Sequence, residues 1–383
     1  MQTRSADNPE LQLKDVIPLA IHALDPQLTP MPSLRVDAII PPSSHVLVLL
    51  IDGLGERQLH DFGADLFLNT SAMAHPMRTQ FPSTTPVALG SLGTGQNPGQ
   101  HGFVGASFYV PEEEVLLAPL KWGSIPHPIA MVPTTPLFEW AATHGIDVAS
   151  VAREKHRNSG ITRSVLRGGV YMGAATLVDM ELIVRDRLAN ARPPALTYLY
   201  WPDLDRIGHV HGPGSAPWRA EIAAIDAFIE RIVNTMMKNP NADVGVVVTS
   251  DHGMVACPPE RRIHLDSHPE LAADVTLVAG DPRARHIYTR PGAAADTVAR
   301  WRTVLGSDFE VLSRTELIEG HLFPDLDPDF TDRLGDFMVI ARADALLASK
   351  TDTRTSSFLG QHGSITAAEM HIPFRVFHSG VNG

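Results

Sequence analysis

The stretch "HVLVLLIDG", residues 45–53, decides the fold. Six apolar residues, Val46 to Ile51, follow one another without polar alternation and stop at Asp52 and Gly53. A strand with one wet face alternates apolar and polar side chains, whereas a parallel strand covered by helices on both faces reads as a continuous apolar run. Two further runs share this character: "ALTYLYWPD" (195–203) and "DVGVVVTSDHG" (243–253). Between the second and third lies "RAEIAAIDAFIERIVNTMM" (219–237), with Ile222, Ile225, Ile229, Ile232 and Met236 on one helical stripe. Buried strands alternating with amphipathic helices predict an α/β fold, a doubly wound and mostly parallel sheet with helices on both faces.

No internal repeat, low-complexity tract or long linker interrupts the 383 residues, so a single catalytic domain spanning 1–383 is expected. From about 257 to 352 the pattern changes. Strand candidates "RHIYTR" (285–290) and "DFMVIARAD" (336–344) and a helical "ADTVARWRTVLG" (295–306) alternate with Pro- and Asp-rich loops, which predicts an inserted α+β subdomain overhanging the site. The end of "GQHGSITAAEMHIPFRVF" (360–377) reads as a last strand.

At 44% hydrophobic the chain can bury a large core. Its one cysteine, Cys257, excludes an internal disulfide and a thiolate zinc cluster, leaving His and carboxylate side chains as metal ligands. A net charge of −12 argues against binding a nucleic-acid duplex through its backbone. The amino terminus lacks the apolar core of a signal peptide and no run approaches eighteen apolar residues; the expectation is a soluble, cytoplasmic protein without membrane contact.

Each core run ends in ligating side chains: Asp52 after the first, Asp203, Asp205 and His209 after the second, Asp251 and His252 after the third. Ligands bind at the carboxyl edge of a parallel sheet. One such Asp is ordinarily a turn former or helix cap. Three from one edge would crowd and repel unless cations neutralised them, and Asp/His sets suit a two-metal site. In "DLDRIGHVHGPG" the Asp205-to-His209 spacing puts both on one side of a helical turn or tight loop, and His209 ranks ahead of His211. A further nitrogen ligand would come from His264, His268, His286, His362, His371 or His378. Of these His362, between glycines in "LGQHGS", has the freest approach.

The segment "QFPSTTPVALGSLGTG" (80–95) sets Ser83, Thr84 and Thr85 before Pro86. Thr85 reads as a helix N-cap and Pro86 as the first helical residue. The same geometry makes an anion site, since free N–H groups and the helix dipole favour phosphate there. Local sequence leaves both readings open.

Taken in order, "LLIDGLG", "FPSTTPVALGSLGTGQNPGQHG", "DLDRIGHVHGPG", "TSDHGM" and "GQHG" resemble the metal-binding blocks of the alkaline phosphatase superfamily, and within it the nucleotide pyrophosphatase/phosphodiesterase branch. The resemblance implies two Zn²⁺ per chain, one held by Asp52, Thr85, Asp251 and His252 and the other by Asp205, His209 and His362, with Mn²⁺ acceptable to the same ligands. It implies Thr85 as nucleophile, counted back from "TG" at 94–95, with a covalent Thr85 intermediate and a small phosphoester or nucleotide substrate. Ser83 and Thr84 are then turn-shaping hydroxyls, and the N–H groups of the helix opened by Pro86 face the phosphate. Many members of the branch carry an Asn shortly after the "HG" that follows this helix. Here "HGFVGASFY" has none, and Ser107 is the candidate substitute. Phe103, Phe108, Tyr109 and Trp122 are available to stack on a base, with core packing the commoner role for each.

Rival readings are a phosphomonoesterase or phosphonate hydrolase of the same superfamily and a non-catalytic nucleotide-binding relative. A dinucleotide-binding oxidoreductase rests only on the turn after the first strand, where Gln58 replaces the third glycine.

Overall fold

The computed structural model describes residues 10–28, 30, 39–123, 126–238, 243–350 and 356–380. Seven strands form the central sheet: β1 (His45–Ile51), β2 (Met73–Ala74), β3 (Asp147–Ala152), β4 (Val170–Gly173), β5 (Ala195–Trp201), β6 (Val244–Thr249) and β7 (Phe374–His378). Their spatial order is β2-β7-β6-β1-β5-β3-β4. β6, β1, β5, β3 and β4 are parallel, while β7 runs antiparallel to β6 and β2 antiparallel to β7. The fold is the doubly wound, mostly parallel α/β sheet that the three apolar runs predict.

The missing alternation has its cause in the packing. Alternate residues of a strand point to opposite faces. Val46, Val48 and Leu50 of β1 enter one core with the helices Val16–Leu24 and Thr85–Thr94. Leu47, Leu49 and Ile51 enter the other, against Ile222, Ile225, Ile229 and Ile232 of the helix Ala216–Met237. No face of the strand is left for a polar residue. Among the described residues no helix is long and apolar enough to cross a membrane.

β3 and β4, which complete the sheet edge, carry no comparable run: β4 is "VYMG", half-buried or exposed throughout. The last strand forms, at Phe374–His378, and closes the sheet from the antiparallel side.

Beyond β6, four antiparallel strands stand in the order Val275–Asp281, Ala284–Thr289, Phe337–Ala341 and Phe309–Ser313. The helix Ala294–Leu305 lays Val298, Trp301 and Leu305 on Ile287, Phe309, Phe337 and Val339, a core separate from the two of the main sheet. The hairpin between the first two strands plugs into the larger unit. Arg283, fully buried at its turn, donates two bonds to Glu369 (Nε to Oε1 2.7 Å, Nη2 to Oε2 2.8 Å). Glu369 also accepts the Ser364 N–H at 3.0 Å through Oε1, and its carbonyl accepts the Gly253 N–H at 2.8 Å. One buried glutamate, through its carboxylate and its main-chain carbonyl, thus ties the hairpin to the loops carrying His362 and His252.

Candidate metal centre and active site

β6, β1 and β5 are neighbours, so their carboxyl ends deliver Asp251, Asp52 and, in the first turn of Asp203–His211, Asp205 to one spot. Gly53 permits the approach: its φ is 77°, and a Cβ there would sit 2.8 Å from that of Asp205. Asp251 Oδ1 accepts the N–H groups of Gly53 and His252, each at 3.0 Å. Asp52 Oδ2 accepts from the Tyr200 hydroxyl. The remaining oxygens, Asp52 Oδ1, Asp205 Oδ1 and Asp251 Oδ2, are buried with no hydrogen-bond partner. Leaving a buried carboxylate oxygen unpaired costs free energy on the scale of several kcal/mol, and three together demand a counter-charge.

The imidazoles complete the argument. His252 Nδ1 lies 3.0 Å from the Gly253 carbonyl, His209 Nδ1 2.8 Å from that of Gly360, and His362 Nδ1 3.0 Å from that of Ser83. A carbonyl can only accept, so each Nδ1 carries the proton and each Nε2 turns its lone pair inward, the arrangement that orients a metal-ligating histidine. His252 Nε2 is 3.3 Å from Asp251 Oδ2, 3.6 Å from Asp52 Oδ1 and 3.2 Å from Thr85 Oγ1. His209 Nε2 is 3.2 Å from Asp205 Oδ2 and His362 Nε2 3.9 Å from Asp205 Oδ1. Within 4.8 Å the donor atoms fall into two sets, Asp52/Asp251/His252 and Asp205/His252/His362, sharing His252. The donor chemistry and the orphaned oxygens fit divalent cations.

Electrostatics says the same. Burial, and then the carboxylates of Asp251 and Asp205, push Asp52 well above the usual carboxylate range. Burial would also raise Asp205, yet His209 beside it outweighs that and holds it low. Burial lowers His209, and Asp205 more than reverses this, carrying it to about 9. Burial and His252 keep His362 well below its ordinary value. Without cations, then, protons must neutralise the cluster.

All seven residues singled out from the sequence, Asp52, Thr85, Asp205, His209, Asp251, His252 and His362, are brought together here. The rejected histidines lie elsewhere: His211 is exposed, His268 pairs with Glu270, His286 is bonded to the Val104 carbonyl and His378 to that of Pro42. Asp203 turns away to Arg153 and Arg206.

The helix start differs by one residue from the sequence expectation. Thr84 is the N-cap, extended at φ −139°, and the helix runs Thr85–Thr94 with Pro86 second. Thr85 therefore has no capping duty and its hydroxyl is free to face His252. Pro86 is buried and, lacking an N–H, sets the turn without offering a donor. Ser83 does more than shape a turn: its Oγ donates to the Ser364 carbonyl at 2.6 Å and accepts the Gly363 N–H at 3.1 Å, locking the His362 loop in place. Ser107 Oγ accepts the Gly280 N–H at 2.9 Å and lines the cleft beside Ala106. Phe103 and Phe108 are core residues, Trp122 packs on Phe103 and Tyr109 on Tyr288. Gln58 is buried and donates to the Met254 carbonyl.

One site residue had no sequence signal. Asp281, in the hairpin turn of the four-stranded unit, lines the cleft and is raised to about 6 by burial, against a hydrogen bond from Thr84. It lies in an unremarkable "GDPR" turn, and only the fold carries it to the site.

Residues 46–365 match the family model for type I phosphodiesterase/nucleotide pyrophosphatase. The chain belongs to that family. Among curated relatives of this family, human ectonucleotide pyrophosphatase/phosphodiesterase family member 5 is 30% identical over 99 residues, 26% of this chain and 21% of that protein. Human bis(5′-adenosyl)-triphosphatase ENPP4 is 36% identical over 83 residues, 21% of this chain and 18% of its own length. These alignments span about a fifth of the two relatives. In fold, the chain resembles murine ectonucleotide pyrophosphatase/phosphodiesterase 5 with a TM-score of 0.71 at 21% identity, covering 86% of this chain and 87% of that one. An inactive variant of the murine protein in complex with AMP superposes with a TM-score of 0.70 at 20% identity, over the same shares.

Proposed function

We propose that this family member hydrolyses phosphodiester or pyrophosphate bonds of nucleotide-like substrates, with Thr85 as nucleophile. The observation that carries the proposal is the set of three imidazoles whose protonated Nδ1 atoms are tied to carbonyls, presenting three Nε2 atoms to three buried carboxylates around the Thr85 hydroxyl. Asp52, Thr85, Asp251 and His252 would hold one zinc ion and Asp205, His209 and His362 a second. Bound there, such ions lower the pKa of a coordinated hydroxyl and stabilise charge on phosphoryl oxygens.

Thr85 attacks phosphorus, an ester alcohol or phosphate leaves, and the Thr85 phosphoryl ester is then hydrolysed by water. N–H groups left free in the first turn of Thr85–Thr94 would face the same anion. Ser107 takes the place of the absent Asn. Its oxygen already accepts from Gly280, which leaves its own proton to donate to a phosphate oxygen. Relatives named for bis(5′-adenosyl)-triphosphate hydrolysis and a structural neighbour in complex with AMP support a nucleotide-like substrate.

Zinc-supplied protein should release p-nitrophenolate from bis-p-nitrophenyl phosphate far faster than from p-nitrophenyl phosphate, and lose both activities to a chelator. A preference for the monoester would replace this reading with that of a phosphomonoesterase.

A further inference from the structure

The carboxylates of the centre are held in different ways. Asp251 Oδ1 takes two backbone N–H groups, those of Gly53 and His252, which a side-chain change there does not remove. Asp52 has no such support. Its Oδ1 is buried without a partner, and its Oδ2 accepts from a side chain, the hydroxyl of Tyr200.

The sheet dictates this contact. Leu50 of β1 pairs in register with Tyr200 of β5, and Ile51 with Trp201. Side chains two apart on a strand share a face, so Asp52 leaves the sheet on the side of Leu50 and Tyr200. The Asp52 N–H donates to the Trp201 carbonyl at 3.0 Å and keeps the two strands together to that point. A phenol set two residues back on the neighbouring strand is long enough to span the gap. Tyr198, earlier on the same strand and face, carries the same ring, but its hydroxyl is buried with no hydrogen-bond partner.

The terminal torsion of an aspartate is broad and roughly two-fold, so a carboxylate free at both oxygens can present either or both to a cation. With Oδ2 tied to Tyr200, Oδ1 is the oxygen left, 3.6 Å from His252 Nε2. We infer that Tyr200 is a positioning residue of the metal centre: its hydroxyl holds Asp52 so that this ligand offers one oxygen, Oδ1, to the ion beside Thr85. The inference rests on the two-ion reading of the site and adds to it a residue outside the ligand set.

Zinc uptake by the metal-free protein, measured by competition with a fluorescent chelator, tests it in Tyr200→Phe and Tyr198→Phe, each of which loses one hydroxyl and keeps its ring. In Tyr200→Phe one zinc ion should bind about 10–100-fold more weakly. At saturating zinc, kcat on bis-p-nitrophenyl phosphate should fall about tenfold with KM held. Tyr198→Phe should match the unsubstituted protein in both respects. Unchanged zinc affinity in Tyr200→Phe, an equal loss in Tyr198→Phe, or a raised KM at constant kcat, which would put the hydroxyl on the substrate, would each overturn the inference and leave the two-ion reading standing. A metal-free Tyr200→Phe chain that fails to fold by circular dichroism would overturn it too, by showing a packing role. Unsubstituted protein that takes up no zinc would remove the two-ion reading and this inference with it.

Discussion

The floor of the cleft and its overhanging wall are built by opposite rules. The floor gathers buried polar groups at the ends of three adjacent strands, holds its imidazoles in one orientation through backbone carbonyls, and leaves carboxylate oxygens without partners. The wall is an antiparallel sheet with its own core, pinned to the floor by one buried ion pair. A floor of this kind is costly to the fold and fixes the chemistry. A wall of this kind costs little.

The largest effect should come from the floor. Thr85→Ala removes the proposed nucleophile and no carboxylate or imidazole, so kcat should fall by about 10³–10⁶ while metal content persists. Substantial residual turnover would move the nucleophile elsewhere. Next is the joint between the regions. Glu369→Gln strands the guanidinium of Arg283 in a fully buried position and should destabilise the protein by about 3–5 kcal/mol in urea unfolding. Pairing it with Arg283→Met should recover much of that loss. A cost no larger than that of a surface substitution would mean the wall is held some other way.

A pH titration separates floor from wall more gently. His209 is raised from 6.5 to about 9 in the folded chain, so its protonated pairing with Asp205 stabilises fully below pH 6.5 and is lost as pH rises through 9. Metal-free protein should therefore lose roughly 2–3 kcal/mol of stability across that window. Zinc, replacing the proton, should flatten the loss, and His209→Ala should abolish it. A metal-free Tm that is flat or rises over this range would contradict the assignment. The smallest effect belongs to Ser107→Ala, which deletes one donor at the meeting of floor and wall and should lower kcat about tenfold with little change in Tm. An unaltered kcat would release Ser107 from phosphate binding.

The same contrast explains what was legible in the sequence. β1, β5 and β6 announce themselves because both faces are buried, and their terminal Asp residues are next to them in the chain; fold and ligand set follow together. His209 follows from helical spacing and His362 from its flanking glycines. β4 escapes because an edge strand such as "VYMG" needs no apolar run, and β3 because small and polar residues interrupt its buried "DVASVA". The start of the catalytic helix is displaced by one residue because Ser83, Thr84 and Thr85 are all competent caps, and only the tertiary fit of Ser83 to the His362 loop selects Thr84. Asp281 escapes for a related reason. Its place at the site depends on how the Arg283 hairpin docks, a contact spanning 86 residues of sequence.

Anomalous diffraction at the zinc edge, from crystals grown with zinc, bears most directly on the floor. The account predicts two peaks about 3.5–4 Å apart, one among Asp52, Asp251, His252 and Thr85 Oγ1, the other among Asp205, His209 and His362. No anomalous density there, or metal bound only at surface histidines such as His268, would contradict it.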